Sequence, residues 1–336
     1  MFNLLTTVFT CGYTPKTTGQ PQETVNPNSG DFMKKMGISL LMILVASVAV
    51  WAQSPPTLRI VTETPGLPSE LFYGNTKVKP VRLRPGTNTP ITIDDVDFLV
   101  QQTYIDFLGR FPDQTGFNNW VTTVSTCPNG GFGENDHPEC DRVRMSAGFI
   151  QSYEFQGRGY WLLRTGYVGL NRSITDGTRT QRSSLTYAEF IPGIQQIGGS
   201  NSPAQEEAAK VVFINSFVQR SDFLALFPTS DSNSTYVNKL EANAGVTLPN
   251  KAQLIADLNA STKTRAQVFR DVVESQVVFD KYIIPSFVDM EYKGYLRRDP
   301  DSIGYNNWID TLTANPNDYR HMVFGFLYSQ EYRARF

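Results

Sequence analysis

The chain has 336 residues and a formal net charge of −2, from 30 Lys and Arg against 32 Asp and Glu. This balance argues against a nucleic-acid-binding protein, because such proteins present a basic face to the phosphates. Charged residues make up 18% of the chain, below the roughly 25% of a typical soluble protein. The length suits one or two domains once a targeting segment is removed.

The first part of the chain is predicted to direct export. Residues 33–52 read MKKMGISLLMILVASVAVWA, where Lys34 and Lys35 precede a short apolar run and small residues stand before Gln53. This is the pattern of a secretory signal peptide. The apolar run is shorter than the roughly 20 residues of a membrane span, so we expect cleavage and no stable span afterwards. Residues 1–32 are interpreted as a disordered, over-extended start.

Residues 53–93 are rich in Pro, Gly and Thr and predict an extended linker with at most a short hairpin. From Asp94 onward, apolar residues recur at spacings of three and four, which is typical of amphipathic helices. This pattern predicts an all-α fold of short helices. We divide it into a first helical region at 94–170, a degenerate middle region at 171–271 and a second helical region at 272–336. Pro285 is expected to break or kink a helix in the last region.

Two cysteines, Cys127 and Cys140, lie in one loop of the first helical region. In an exported chain, two such cysteines most often form a disulfide. The alternative is a metal site that includes His137, but three N or S ligands are fewer than the four of a structural zinc site. We therefore predict the disulfide and no bound metal.

A sequence motif occurs twice, at 104–120 (YIDFLGRFPDQTGFNNW) and at 292–308 (YKGYLRRDPDSIGYNNW). A closing segment, FIQSYEF at 149–155, recurs as FLYSQEY at 326–332. The middle region lacks the R-x-P-D-x-x-G segment and carries only degenerate versions of the closing segment. The shared motif residues are Arg110, Pro112, Asp113, Gly116 and Trp120 in the first copy, and Arg298, Pro300, Asp301, Gly304 and Trp308 in the second.

Each motif residue has a structural interpretation. The proline ends one helix, and the aspartate begins the next, where a carboxylate accepts backbone N–H groups and meets the positive end of the helix dipole. The glycine leaves room for a close helix approach, the tryptophan is expected to be largely buried, and the arginine is expected to brace the loop. A calcium site would need six to eight oxygens, and each loop offers one carboxylate. A sugar-binding aspartate is the other alternative.

Catalytic machinery is not evident. The chain has only two histidines, His137 and His321, which makes a Ser-His-Asp or Cys-His site improbable. There is no phosphate-binding glycine loop and no H-E-x-x-H zinc motif. A stripe of aromatic residues, Tyr153, Tyr160, Trp161 and Tyr167, has two interpretations. It is either core or a surface that faces a sugar or a partner.

The paired motif L-x-R-x-P-D-x-x-G-x-x-x-W and F-x-x-S-x-E-F resembles the bacterial family of the domain of unknown function 4214. The resemblance covers 94–170 and 272–336 and is weak between them. It implies a helical module in an exported protein, and the style is similar to that of multi-unit acidobacterial proteins. Members often carry calcium-binding repeats, which this chain lacks. The family supplies no catalytic residues.

These observations predict an exported, non-enzymatic helical scaffold, adhesion or protein-interaction module. It would be secreted, at the cell surface or in the periplasm, without catalytic residues, cofactor or metal. Its partner would be an unknown protein or glycan and not a nucleic acid. One alternative is an extracellular carbohydrate-binding protein that uses exposed aromatic residues. A secreted hydrolase is a further alternative, which would need two facing carboxylates in a deep pocket.

Overall fold

The computed structural model describes residues 58–61, 70–73, 76–77, 82–198 and 202–336. The predicted signal peptide at 33–52 and the segment 1–32 lie outside the described residues, as does much of the predicted linker at 53–93. Residues Thr57–Phe336 cluster into one compact unit. The sequence divisions at 170 and 271 fall inside that unit, and the three regions remain a description of the sequence.

The described residues are mainly helical, which confirms the all-α prediction. In chain order the α-helices are α1 (Val96–Thr103), α2 (Gln114–Ser125), α3 (Arg142–Ile150), α4 (Tyr153–Phe155), α5 (Trp161–Gly169), α6 (Tyr187–Gly198), α7 (Pro203–Phe217), α8 (Ser221–Leu226), α9 (Asn233–Ala244), α10 (Lys251–Asn259), α11 (Arg265–Val273), α12 (Gln276–Glu291), α13 (Ser302–Ala314), α14 (Tyr319–Leu327) and α15 (Gln330–Arg333). Within the described ranges, none is both long and apolar enough to cross a bilayer.

Three segments of the described part of the chain form π-helices, in which the backbone hydrogen bonds span one residue more than in an α-helix. They are π1 (Tyr104–Leu108), π2 (Gln156–Tyr160) and π3 (Tyr292–Leu296). The first and third occupy the same positions in the two motif copies, and each continues a preceding α-helix. Apolar spacing did not predict them, because a single wider turn changes the helical period too little to be read from sequence.

Two small antiparallel sheets accompany the helices. In the predicted linker, β1 (Leu58–Val61) pairs with β2 (Glu70–Tyr73), which pairs with β3 (Thr76–Lys77). A second hairpin, β4 (Arg172–Asp176) and β5 (Arg179–Ser183), lies between α5 and α6. This hairpin was not predicted from the sequence, although Asp176-Gly177 is a recognised turn signal and Gly177 has a φ of +69°.

The core is centred on α5, because all nine of its residues are buried. Helices α6, α9, α11 and α12 and strand β5 pack around it. Most of its residues are apolar, and its Arg164 and Thr165 are buried as well, as expected for a helix at the centre of a fold. Small residues allow this crowding. A Cβ at Gly166 would lie 2.7 Å from the Leu185 backbone nitrogen, and one at Gly169 would lie 2.9 Å from the Phe269 ring.

Pro285 does not end its helix, so the expected break at this position is wrong, while the expected kink stays a prediction. Helix α12 runs from Gln276 to Glu291 with the proline inside it, and π3 follows directly. A proline removes one backbone hydrogen bond. The same helix buries Tyr282, Val288 and Met290 in the core, which stabilises it.

The predicted disulfide is confirmed. Cys127 and Cys140 are bonded, with their Cα atoms 5.5 Å apart, and they close the loop between α2 and α3. Arg142 fixes the same loop, since its guanidinium donates to the Gly130 carbonyl at 3.0 Å and lies over the Phe132 ring. The disulfide and the contacts of Arg142 together hold this loop in place. The first motif copy has the loop, and the second lacks it.

Replacing both cysteines, as Cys127→Ser/Cys140→Ser, should lower the free energy of unfolding by about 3 kcal/mol. A cross-link over 13 residues removes conformational entropy from the unfolded chain. Urea unfolding with and without reductant measures the effect. Reductant should destabilise the wild type to the level of the variant and leave the variant unchanged. Equal stability of the two proteins under oxidising conditions would contradict the prediction.

Candidate functional site

The two motif copies form the same ion pair with their closing segments. Arg110 donates to both carboxylate oxygens of Glu154, each at 2.8 Å. Arg298 does the same to Glu331, at 2.6 and 3.1 Å. Both pairs are partly exposed, so each contributes only about 0–1 kcal/mol. Their two-pronged geometry therefore serves mainly to fix the motif loop against the closing helix.

The motif aspartates lie at helix starts, where the sequence analysis placed them. Asp113 accepts a hydrogen bond from the Gly116 N–H at 2.8 Å, and Asp301 accepts one from the Gly304 N–H at 2.8 Å. The Gly116 N–H, as the largest influence, lowers the pKa of Asp113. Both aspartates thus satisfy helix donors that would otherwise lack a partner.

The motif glycines make room for a tyrosine hydroxyl. A Cβ at Gly116 would overlap the hydroxyl of Tyr104, and a Cβ at Gly304 would overlap that of Tyr292. Each tyrosine is held in turn by an edge-on ring contact, with Phe149 at 4.5 Å in the first copy and Phe326 at 4.9 Å in the second. A residue larger than glycine at this position of the motif would therefore clash with the tyrosine hydroxyl.

The motif tryptophans differ from the expectation. Trp120 and Trp308 are only half-buried and pack against the edge of the core. Trp120 covers Gly148, where a Cβ would lie 2.7 Å from the indole ring. The buried aromatic position of the motif is instead the leading tyrosine, because the helix that carries the tryptophan lies along the surface of the unit.

The glycine–tyrosine contact can be tested with a double-mutant cycle. Gly116→Ala should lower the free energy of unfolding by about 1–3 kcal/mol through overpacking against the Tyr104 hydroxyl. Tyr104→Phe removes that hydroxyl, so the double variant should recover most of the loss. Chemical denaturation of the wild type, the two single variants and the double variant measures the coupling energy.

Gly325→Ala is the matched control for this cycle. It lies in α14 and a Cβ there would meet nothing within 4 Å, so the variant should gain up to about 1 kcal/mol from helix propensity. The steric account fails if Gly116→Ala behaves like Gly325→Ala, or if Tyr104→Phe gives no recovery.

The two copies also contact each other through equivalent elements. π1 packs on π3, and α3 packs on α14. The ring of Phe107 lies edge-on to that of Tyr295, its counterpart in the second copy, at 5.0 Å. Ser146 of the first copy hydrogen-bonds the same Tyr295 hydroxyl. The copies therefore share one core and are not separate modules joined by a linker.

Glu291 lies at the end of α12, directly before π3, and is fully buried. Neither of its carboxylate oxygens has a hydrogen-bond partner. Burial raises the pKa of Glu291 well above its usual value. The titratable side chains that interact with it are Tyr160 and Tyr295. The first copy has Thr103 at this position, whose hydroxyl bonds the Leu99 carbonyl within its own helix.

A buried carboxyl with a raised pKa makes stability depend on pH. The free energy of unfolding is highest below the unfolded pKa, near 4.5, where the carboxyl is neutral in both states. It falls by about 1.4 kcal/mol per pH unit as the pH rises towards the folded pKa, because only the unfolded chain ionises in that range. Glu291→Gln removes the ionisation. Its stability relative to the wild type should therefore increase with pH in urea unfolding measured from pH 4 to 9. A Glu291→Gln curve parallel to the wild type would contradict the assignment.

The aromatic stripe is not a surface. Tyr160, Trp161 and Tyr167 are buried in the core, and the Trp161 indole donates to Glu274 at 2.8 Å. Tyr153 alone of the four is exposed, at 91%. Tyr160 lies in π2, and Trp161 and Tyr167 lie in α5, which is enclosed on all sides, so these three aromatic residues belong to the core.

A different aromatic surface lies at the first motif copy. Phe111 is 69% exposed and Tyr153 is 91% exposed, and each is the chain neighbour of one member of the Arg110–Glu154 pair. The ion pair therefore places the two chain segments that carry these exposed aromatic residues next to each other. We call this the Phe111–Tyr153 surface. The sequence analysis listed Tyr153 for a different surface and did not single out Phe111.

The second copy carries different side chains on the same frame. Asp299 and Gln330 stand where the first copy has Phe111 and Tyr153. Asp299 is exposed as well, but its carboxylate accepts from the Tyr187 N–H at 2.7 Å and from the Lys293 ammonium at 3.3 Å. The frame thus does not require aromatic residues at these positions.

The candidate catalytic and metal residues remain dispersed. His321 is exposed and lies 3.1 Å from Glu134, and His137 is 3.6 Å from Glu139. The described part of the chain contains no group of three or more potential metal-ligating residues. Two carboxylates that the sequence analysis did not pair, Asp289 and Asp299, do line one cavity.

The comparisons with known proteins bear on the second copy. The family described as domain of unknown function (DUF4214) matches residues 284–336. This match confirms the resemblance over π3, α13 and α14, with the preceding end of α12. No curated protein and no solved structure gives a significant match.

Proposed function

We propose that this protein is an exported, non-enzymatic helical module that binds another protein through the Phe111–Tyr153 surface. The observation that carries the proposal is the pair of exposed aromatic residues beside the Arg110–Glu154 ion pair. Large apolar side chains on a surface are informative when they cluster, since isolated ones are common.

Protein binding fits this combination of side chains. Tyrosine, phenylalanine and arginine are enriched in protein–protein interfaces, and the residues that dominate binding are often tyrosine and arginine. The bidentate ion pair holds the loop and the closing helix in place, so fewer degrees of freedom are lost on binding. Asp113, next to the surface and largely exposed, supplies a polar rim.

The second motif copy supports a role other than folding for the two aromatic residues. It forms the same ion pair, the same cap and the same glycine–tyrosine contact with Asp299 and Gln330 at the two positions. Phe111 and Tyr153 are thus dispensable for this local structure. Because Phe111 is exposed and is not needed for the local structure of the motif, its presence favours a role in binding.

Export is supported by two features. The segment 33–52 has the signal-peptide pattern, and the Cys127–Cys140 disulfide is of the kind that persists in oxidising compartments. A location outside the cytoplasm would also suit a module that binds an envelope or extracellular protein. N-terminal sequencing of the exported chain should give Gln53 as its first residue.

A hydrolase is not proposed, although Asp289 and Asp299 share a cavity. Lys293 bonds both carboxylates, and an ammonium between them offsets their charge. A glycosidase pair needs one carboxyl free to donate a proton and the other free to attack or to activate water. The arrangement found here leaves neither in that state.

Binding through this surface can be tested with full-length protein that carries a photo-crosslinking residue at position 153. The cross-linked partner, identified by mass spectrometry and purified, is then titrated with the wild type and with Tyr153→Gln and Phe111→Ala. Each variant should weaken binding at least about tenfold, because truncating a central interface aromatic typically removes more than one kcal/mol. Melting temperatures should not change.

Val212→Thr, at another exposed apolar residue on α7, is the control and should bind like the wild type. Equal affinity of Tyr153→Gln, Phe111→Ala and the wild type would reject the surface. If a glycan array shows oligosaccharide binding that Tyr153→Gln abolishes, the carbohydrate alternative replaces the protein-binding proposal.

A further inference from the structure

A cavity of about 200 Å³ lies where the β4–β5 hairpin covers the second motif copy. Its walls come from the hairpin, from the segment that follows it, and from α12, π3, the second motif loop and α13. The apolar walls include Ile174, Leu185 and Pro300, and the polar groups at its base are Asp289 and Lys293, with Asp299 beside them. The hairpin was not expected from sequence, so neither was the cavity.

The polar groups at the base are unusual in their burial. Asp289 and Lys293 are each 3% exposed and form an ion pair one helical turn apart. Burial raises the pKa of Asp289, and the Lys293 ammonium opposes that rise. Removing two charges from water is unfavourable, and an apolar pair of similar size is often at least as stable. The fold alone gives little reason to keep them.

The first copy shows what the fold needs at these positions. Gln101, Ile105 and Phe111 occupy the places of Asp289, Lys293 and Asp299, and π1 forms there as π3 does here. The charged cluster is therefore specific to the copy that the hairpin covers. It is an added feature of the cavity and not a property of the motif.

Hydrogen-bonding capacity remains at the base. Lys293 has three N–H donors, of which two are directed to Asp289 and Asp299. Each of those carboxylates uses only its Oδ1 atom in these bonds, which leaves the Oδ2 atoms as acceptors. The hydroxyl of Tyr305 is already engaged with Tyr167 and the Arg182 carbonyl. The base thus offers one donor and two acceptors close together.

This arrangement selects a neutral ligand rich in hydroxyl groups. An anion would meet two carboxylates, since the Arg172 guanidinium on the wall is already paired with Glu189 and Asp222. A cation would meet the Lys293 ammonium. A hydroxyl group both donates and accepts, so neighbouring hydroxyls can use the free carboxylate oxygens and the lysine together. The volume is below the roughly 300–1,000 Å³ of sites for drug-sized ligands. From the geometry we infer that the cavity is a binding site for a monosaccharide-sized polyol.

The test is a binding screen of the full-length protein against glucose, galactose, mannose, N-acetylglucosamine, myo-inositol and glycerol, with putrescine and succinate as charged controls. Thermal shift identifies candidates, and calorimetry measures the dissociation constant. At least one polyol should bind and raise the melting temperature, while the charged controls should not. Binding of none, or of a charged control instead, overturns the inference.

Two sets of variants locate the site. Asp289→Gln/Lys293→Ile introduces the residues of the first copy and should weaken polyol binding at least about tenfold, the usual scale for losing a hydrogen bond to a charged group. Ile174→Trp should fill the cavity and abolish binding. Thr175→Trp, on the exposed side of the same strand, should leave it unchanged.

If the double variant does not fold, the comparison of Ile174→Trp with Thr175→Trp tests the location of the site. Unchanged polyol affinity in Ile174→Trp would place binding elsewhere and overturn the assignment. Tyr153→Gln should bind the polyol like the wild type, because the Phe111–Tyr153 surface belongs to the other motif copy. Failure of one proposal therefore leaves the other intact.

Discussion

The structure depends on the complete burial of α5. A helix without a solvent-exposed side must be covered in every direction, and this fold covers it with four helices and a strand of the β4–β5 hairpin. Gly166 and Gly169 allow the closest of these contacts, where a side chain would strike Leu185 or Phe269. The motif copies are positioned by the same constraint, because the closing segment of the first copy leads through π2 into α5, while α12, which also packs on α5, leads into the second copy.

The two copies use one local design for different ends. In both, an arginine–glutamate pair, a capping aspartate and a glycine–tyrosine contact hold the loop. Those interactions leave positions 111 and 153 of the first copy, and 299 and 330 of the second, free to vary. The first copy uses this freedom to expose two aromatic residues, and the second uses it to complete a polar cluster under the hairpin. Duplication followed by divergence at positions without a folding role explains how one motif supports two kinds of surface.

Three buried charged groups of the second region have uncharged counterparts in the first. Asp289, Lys293 and Glu291 all belong to the second copy, and their counterparts Gln101, Ile105 and Thr103 carry no charge. The unpartnered Glu291 lies in the shared core between the copies, whereas Asp289 and Lys293 face a cavity. The buried carboxyl of Glu291 therefore makes the stability of the core depend on pH, whereas that of Asp289 supplies a hydrogen-bond acceptor to the cavity.

The sequence by itself determined the helical class, the positions of the caps at Asp113 and Asp301, the disulfide and the duplicated motif. These depend on local spacing and on chemistry within a few residues. Only the tertiary structure decided that Tyr160, Trp161 and Tyr167 are core while Tyr153 is exposed, that Arg110 pairs with Glu154, and that the hairpin encloses Asp289 and Lys293. Helical periodicity indicates that a residue faces some partner, but the partner is set by the path of the chain, which brings together residues far apart in sequence.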